Sequence, residues 1–127
     1  MVDGGSPQVQ WRSVVLDCPD PPALARFYGD LLSGTVLQDP DWSEVRLGPA
    51  SPKLAFQRVE RYTAPGWPDG QPQQLHLDIT VPDLAAASRR AVALGARVVK
   101  EPVDVGTGMY QVHLDPAGHP FCFVMER

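Results

Sequence analysis

The sequence predicts an α+β fold in which a strand–helix–strand–strand–strand unit is used twice, giving curved mixed sheets that form a cup with helices on the outside. Three observations carry that prediction. The chain repeats itself: Ser13-Val-Val-Leu-Asp-Cys-Pro-Asp20 leads into an apolar-periodic stretch ending Leu32-Ser-Gly34-Thr-Val36, and His76-Leu-Asp-Ile-Thr-Val-Pro-Asp83 leads into one ending Leu94-Gly95-Ala-Arg-Val98. A duplicated supersecondary unit is far harder to obtain by chance than a single motif. Each apolar-periodic stretch also carries its own helix-start signal, and each is followed by short extended runs divided by turn residues.

The first helix is predicted from Asp20, a good N-cap, with Pro21 at the first helical position where its missing N–H is no loss. Leu24, Phe27, Tyr28, Leu31 and Leu32 then recur at helical spacing on one face. In the second helix Asp83 caps, Leu84, Ala87, Ala91 and Leu94 give a thinner stripe, and Gly95 stops the helix. Extended runs follow near 35–38, 43–47 and 53–59 in the first unit, and near 97–100, 109–114 and 120–125 in the second. Asp115-Pro-Ala-Gly118 supplies the last hairpin turn. Pro65, Gly66, Pro68, Gly70 and Pro72 exclude helix or central strand from 60–73, which is therefore the linker between modules 11–59 and 74–126. Residues 1–10 read as a frayed tail, and 101–108, with Pro102, Gly106 and Gly108, as a flap.

Composition bounds the function. The 127 residues are 43% hydrophobic and 20% charged, which suits one globular domain and argues against disorder. A net charge of −4 gives no attraction to nucleic acid or to an anionic membrane surface, so neither is expected as a partner. No apolar run is long enough to span a bilayer, and the start shows no basic-then-apolar signal. Cys18 and Cys122 lie in apolar runs and are expected to be reduced and buried, with the cytosol as the expected address.

Strand alternation sorts the side chains into faces. Val14, Leu16 and Cys18 should lie under the helix, leaving Ser13, Val15 and Asp17 for the cup; Leu77, Ile79 and Val81 should do the same, leaving His76, Asp78 and Thr80. In the last strand Phe121 and Phe123 are expected in the core, with Cys122 and Val124 in the cup. Tyr110, Val112 and Leu114 read as apolar packing, which would point Gln111 and His113 inward. The expected pocket set is Asp17, Gln57, Trp67, His76, Asp78, His113 and Cys122, with Trp67 as a lid over the mouth. Asp17 and Asp78 serve equally well as strand-end hydrogen-bond acceptors. Phe27 and Tyr28 are helix-face packing, and Arg89-Arg90 is a solvated face.

Two such units, with Phe27-Tyr28 in the first helix and Asp115-Pro-Ala-Gly118 before the final strand, resemble the vicinal-oxygen-chelate superfamily of glyoxalases, bleomycin-resistance proteins and dioxygenases. Within it, Trp67-Pro-Asp-Gly70 followed by Pro72-Gln-Gln-Leu-His-Leu-Asp78 looks most like the glyoxalase-like proteins of actinobacterial type. The resemblance covers about residues 11–126. It implies metal ligands from the first and last strands of each module. The corresponding positions hold Ser13, Gln57, His76 and Cys122, and of these His76 alone matches the usual donor. No metal site and no cofactor is therefore expected. A different zinc set, His76–His113–Cys122, follows only if the last hairpin pairs Leu114 with Phe121. Two functions remain: a cup that binds a small organic molecule without the usual metal site, or a divergent metal-dependent lyase, isomerase or dioxygenase-type enzyme. The edges of small open sheets are usually covered, so a homodimer is expected.

Overall fold

The computed structural model describes residues 10–67, 70 and 75–127. The tail and much of the linker thus lie outside the described residues. The first module comprises β1 (Ser13–Cys18), α1 (Pro21–Leu32), β2 (Thr35–Leu37), β3 (Trp42–Arg46) and β4 (Lys53–Arg58). The second comprises β5 (Leu77–Thr80), α2 (Leu84–Leu94), β6 (Arg97–Val98), β7 (Val103–Asp104), β8 (Gly108–Leu114) and β9 (Pro120–Glu126).

Each module folds into its own mixed sheet. The strand orders are β1-β4-β3-β2 and β5-β9-β8-β6, with β7 added along β8. In both, the first strand lies parallel to the last, and the remaining pairs are antiparallel. The expected flap at 101–108 thus includes a short strand, β7, that turns back onto β8.

Local chemistry accounts for the helices. The Asp20 carboxylate accepts the Ala23 N–H at 3.2 Å, and that of Asp83 accepts the Ala86 N–H at 3.1 Å. Gly95 closes α2 in the left-handed region, at φ 119°. At the end of α1 it is Ser33 that takes that conformation, at φ 55°. Gly34 is needed there for a close approach instead: a Cβ on it would lie 2.6 Å from Val45 Cγ1 and 3.0 Å from the Arg46 carbonyl.

One core joins the modules. Leu16, Cys18, Leu54 and Phe56 of sheet 1 and Phe121 and Phe123 of sheet 2 all turn toward the helices. Phe27 of α1 packs 6.0 Å from Phe121, and Tyr28 stacks on Phe56 at 5.7 Å. A buried polar knot reinforces this junction. The Tyr28 hydroxyl donates to Asp115 Oδ2 at 2.6 Å, and His119 Nδ1 lies 2.8 Å from the same oxygen. His119 Nε2 reaches back to the Asp17 carbonyl at 2.8 Å. The opposite face of each sheet is left free of helices.

Candidate functional site

On the helix-free face of sheet 2, strand register builds rows of side chains. Asp78 of β5 pairs with Cys122 of β9, which pairs with Val112 of β8. Thr80, Val124 and Tyr110 form the next row, and β7 extends it with Val103. Tyr110, Val112, Cys122 and Val124 of these rows floor a cavity of about 380 Å³, within the size range of small-molecule sites, while Thr80 and Val103 lie outside its lining. Its apolar lining comes from Tyr110, Val112, Val124 and Met109. His76, Asp78 and Cys122 form one wall, Val105 and Thr107 of the β7–β8 turn another, and Trp67 of the linker a third. Lys100 Nζ lies 5.3 Å from the centre of the Trp67 ring, a cation–π contact that places an ammonium beside the cavity.

Three donor atoms converge on that first wall. A ring nitrogen of His76, a carboxylate oxygen of Asp78 and the Cys122 sulfur lie within 4.8 Å of one another. His76 Nε2 is 3.1 Å from Asp78 Oδ1. The arrangement follows from the chain: His76, the residue just before β5, stands two positions from Asp78 and turns to the same side, and Cys122 is the direct partner of Asp78 on β9. Burial, and then the nearby Asp78 carboxylate, push the Cys122 thiol up to about 11. Without a cation beside it, this sulfur keeps its proton at neutral pH. Cys18 is likewise a buried free thiol, pushed up to about 11 mainly by burial.

The sequence-based pocket set divides. Trp67, His76, Asp78 and Cys122 line the cavity. Asp17 and Gln57 pair across β1 and β4 on the helix-free face of sheet 1, outside this lining. His113 is a correction. It is fully buried on the helix side, stacked 5.3 Å from Phe121, with Nδ1 donating to the Gln111 carbonyl and Nε2 accepting from Ser88 of α2 at 2.8 Å. Burial lowers its pKa below the ordinary histidine value.

The cause is a one-residue difference in register. Leu114 pairs with Pro120 and His113 with Phe121, whereas the expected pocket required Leu114 against Phe121. Side chains alternate with period two, so that slip exchanges the faces of all of β8. Gln111 and His113 leave the cup, Tyr110 and Val112 enter it, and the His76–His113–Cys122 zinc set is excluded. The register is held by a turn spanning 115–119, in which Asp115 Oδ1 accepts from the Ala117 and His119 N–H groups at 2.8 and 3.0 Å. Lys100 and the β7–β8 turn residues also went unnamed as pocket residues. Their short strands carry little local pattern, although the flap reading at 101–108 pointed to the second group.

The metal of related metalloenzymes does not fit the four corresponding positions. Ser13 and Gln57 stand on sheet 1, away from this cavity, and bring no imidazole or carboxylate; Cys122 replaces an acid; only His76 is a usual donor.

A family profile described as a glyoxalase-like domain matches residues 13–124. Among solved structures, a glyoxalase/bleomycin resistance protein/dioxygenase family enzyme from Burkholderia phytofirmans PsJN superposes with a TM-score of 0.74 at 17% identity, over 94% of this chain and 100% of that one. A glyoxalase-related enzyme from Fulvimarina pelagi gives 0.70 at 20% identity, over 92% and 88%. TioX from Micromonospora sp. ML1 gives 0.64 at 18%, over 94% and 100%. These likenesses concern the fold. No curated protein matches the chain. With the profile spanning both modules and the paired βαβββ architecture in place, the chain belongs to the glyoxalase-like domain family.

Proposed function

We propose that this protein captures a small organic molecule in the sheet 2 cup, without the usual metal ligand set of its superfamily. The observation that carries the reading is the cavity itself: about 380 Å³, floored by Tyr110, Val112 and Val124, with polar groups confined to its walls. An apolar floor with a few convergent polar groups is the common composition of a ligand site. The Trp67 ring and the Lys100 ammonium suit a ligand with a flat apolar body and an oxygen-bearing edge.

A second copy of the chain is part of this reading. Val15, Leu37 and Trp42 are exposed, and strand register puts them on the helix-free face of sheet 1. An apolar face of that kind is the type of surface that self-association covers. Among the described residues no helix is long and apolar enough to cross a membrane. Two buried free thiols favour the cytosol as the protein's address.

The test is titration of the purified protein with a panel of small aromatic carboxylates and an environment-sensitive aromatic dye, read by tryptophan fluorescence and calorimetry. Saturable 1:1 binding that weakens in Tyr110→Ala and Trp67→Ala, with folding intact, supports the reading. Absence of saturable binding across the panel, or binding indifferent to both substitutions, refutes it. Sedimentation showing only the monomer at micromolar concentration removes the second copy.

A further inference from the structure

We propose that His76, Asp78 and Cys122 form a site for a thiophilic divalent cation, zinc being the type case, built by module 2 alone. The proposal does not depend on which organic molecule the cup takes. From the sequence alone His76 is a lone imidazole, because the other expected positions hold Ser13, Gln57 and Cys122. The fold changes that count. It brings Asp78, a residue outside the superfamily's usual set, against His76 Nε2 at 3.1 Å, and lays Cys122 beside it on the paired strand. All three donor atoms fall within 4.8 Å of one another.

The donor chemistry selects the ion. Nitrogen, oxygen and sulfur together match zinc and its neighbours, whereas calcium and magnesium require an oxygen shell that these residues cannot supply. A neutral imidazole, a carboxylate and a thiolate carry two negative charges, which a divalent cation neutralises. Binding therefore replaces the thiol proton by the metal: the sulfur–hydrogen bond is lost, a sulfur–metal bond forms, and the proton leaves to solvent with no change of oxidation state. Three protein donors leave a fourth tetrahedral position. Since the donors line the cavity wall, that position is open to water or to an oxygen of a bound molecule.

The strand framework makes the cluster rigid enough to act as a site. Asp78 and Cys122 are held by direct parallel pairing of β5 and β9, and Cys122 is flanked on its other side by Val112 of β8. Small rotations about the side-chain bonds of the exposed His76 and Asp78 bring their donors to coordination distance, while the buried Cys122 stays fixed.

The experiment uses full-length protein purified without a polyhistidine tag and treated with chelator. Zinc is titrated in competition with a chromogenic chelator. Cobalt(II) is titrated alongside, because a cobalt–thiolate bond gives an intense near-ultraviolet charge-transfer band. The expected result is 1:1 binding with that band present. Cys122→Ser abolishes the band. His76→Ala and Asp78→Asn each weaken binding by at least about tenfold, since losing even a hydrogen-bond partner of a ligand costs roughly 10- to 100-fold. Thr80→Ala, on the same strand face but outside the set, leaves binding unchanged. Thermal melts check that each variant folds. No 1:1 uptake at micromolar metal, a cobalt complex without the thiolate band, or equal affinity across the three variants overturns the proposal. Dye binding to the chelator-treated protein is measured separately, so a failure of the cation site remains distinguishable from a failure of the cup.

Discussion

Asp115→Ala should be among the most damaging single substitutions in this protein, because one carboxylate closes the last hairpin and ties the modules together. Asp115 is 1% exposed and accepts from the Tyr28 hydroxyl, the Ala117 and His119 backbone N–H groups and the His119 ring. Removing it strands the fully buried Tyr28 hydroxyl, and one such orphaned group costs about 1–3 kcal/mol. The Asp115–His119 hydrogen bond adds to this, a bond to a carboxylate contributing roughly 1.5–3 kcal/mol. The expected total is about 4 kcal/mol, a large part of the roughly 5–15 kcal/mol that separates folded from unfolded domains. Urea unfolding of the wild type, Asp115→Ala, Tyr28→Phe and the double variant measures it. Tyr28→Phe removes the donor and its partner contact together without stranding the hydroxyl, so its own effect is about 1 kcal/mol, and the pair should couple by at least about 1 kcal/mol. A loss below about 1 kcal/mol in Asp115→Ala, or strict additivity in the cycle, would refute the argument. Dye capture should fall with stability in the same variant, because the turn that Asp115 holds also sets the face that β8 presents to the cup.

Other outcomes follow from single environments. His113 is held neutral by burial, so its pKa is depressed in the folded state while the unfolded chain titrates near 6.5; its contribution is full above that value and is lost as pH falls from there toward the folded pKa. Urea unfolding at pH 7.5 and 5.5 should thus show a loss in the wild type that is smaller in His113→Phe. Gly108→Ala should open the outer end of the β8–β9 pair, since a Cβ there would lie 2.5 Å from the Met125 carbonyl and 3.1 Å from Glu126 Cα, backbone that cannot swing aside. The expected penalty is about 1–3 kcal/mol, read by urea unfolding. Gly95→Ala should cost about 1 kcal/mol by thermal melt, because φ of 119° lies where side-chain-bearing residues are strained.

Much of the fold was legible because its signals are local. Asp20, Asp83, Pro21 and Gly95 mark helix ends within a few residues of the chain, and the alternation in β1, β5 and β9 sorted Leu16, Cys18, Phe121 and Phe123 correctly onto the helix side. The β8 faces were not legible, because they depend on how many residues the 115–119 turn consumes, which the buried Asp115 decides. The residues of β8 also invert the ordinary pattern. Its apolar Tyr110 and Val112 face the cup, and its polar Gln111 and His113 face the helices, where Gln111 donates to the Lys100 carbonyl and His113 binds Ser88. A rule that sends apolar side chains to the core must fail on such a strand. The failure is informative. Polar groups toward the core were accommodated by giving each a partner, and the apolar stripe was left facing a space that no described part of the chain fills. Val112 is already buried, at 4% exposed, so it is the half-buried Tyr110 that a strand with no ligand to meet would gain by turning toward the core, with Gln111 and His113 solvated. Tyr110, half-buried on the cup side of β8, is thus the side chain that the proposed capture of an apolar molecule would cover, and Tyr110→Ala is the variant that tests it.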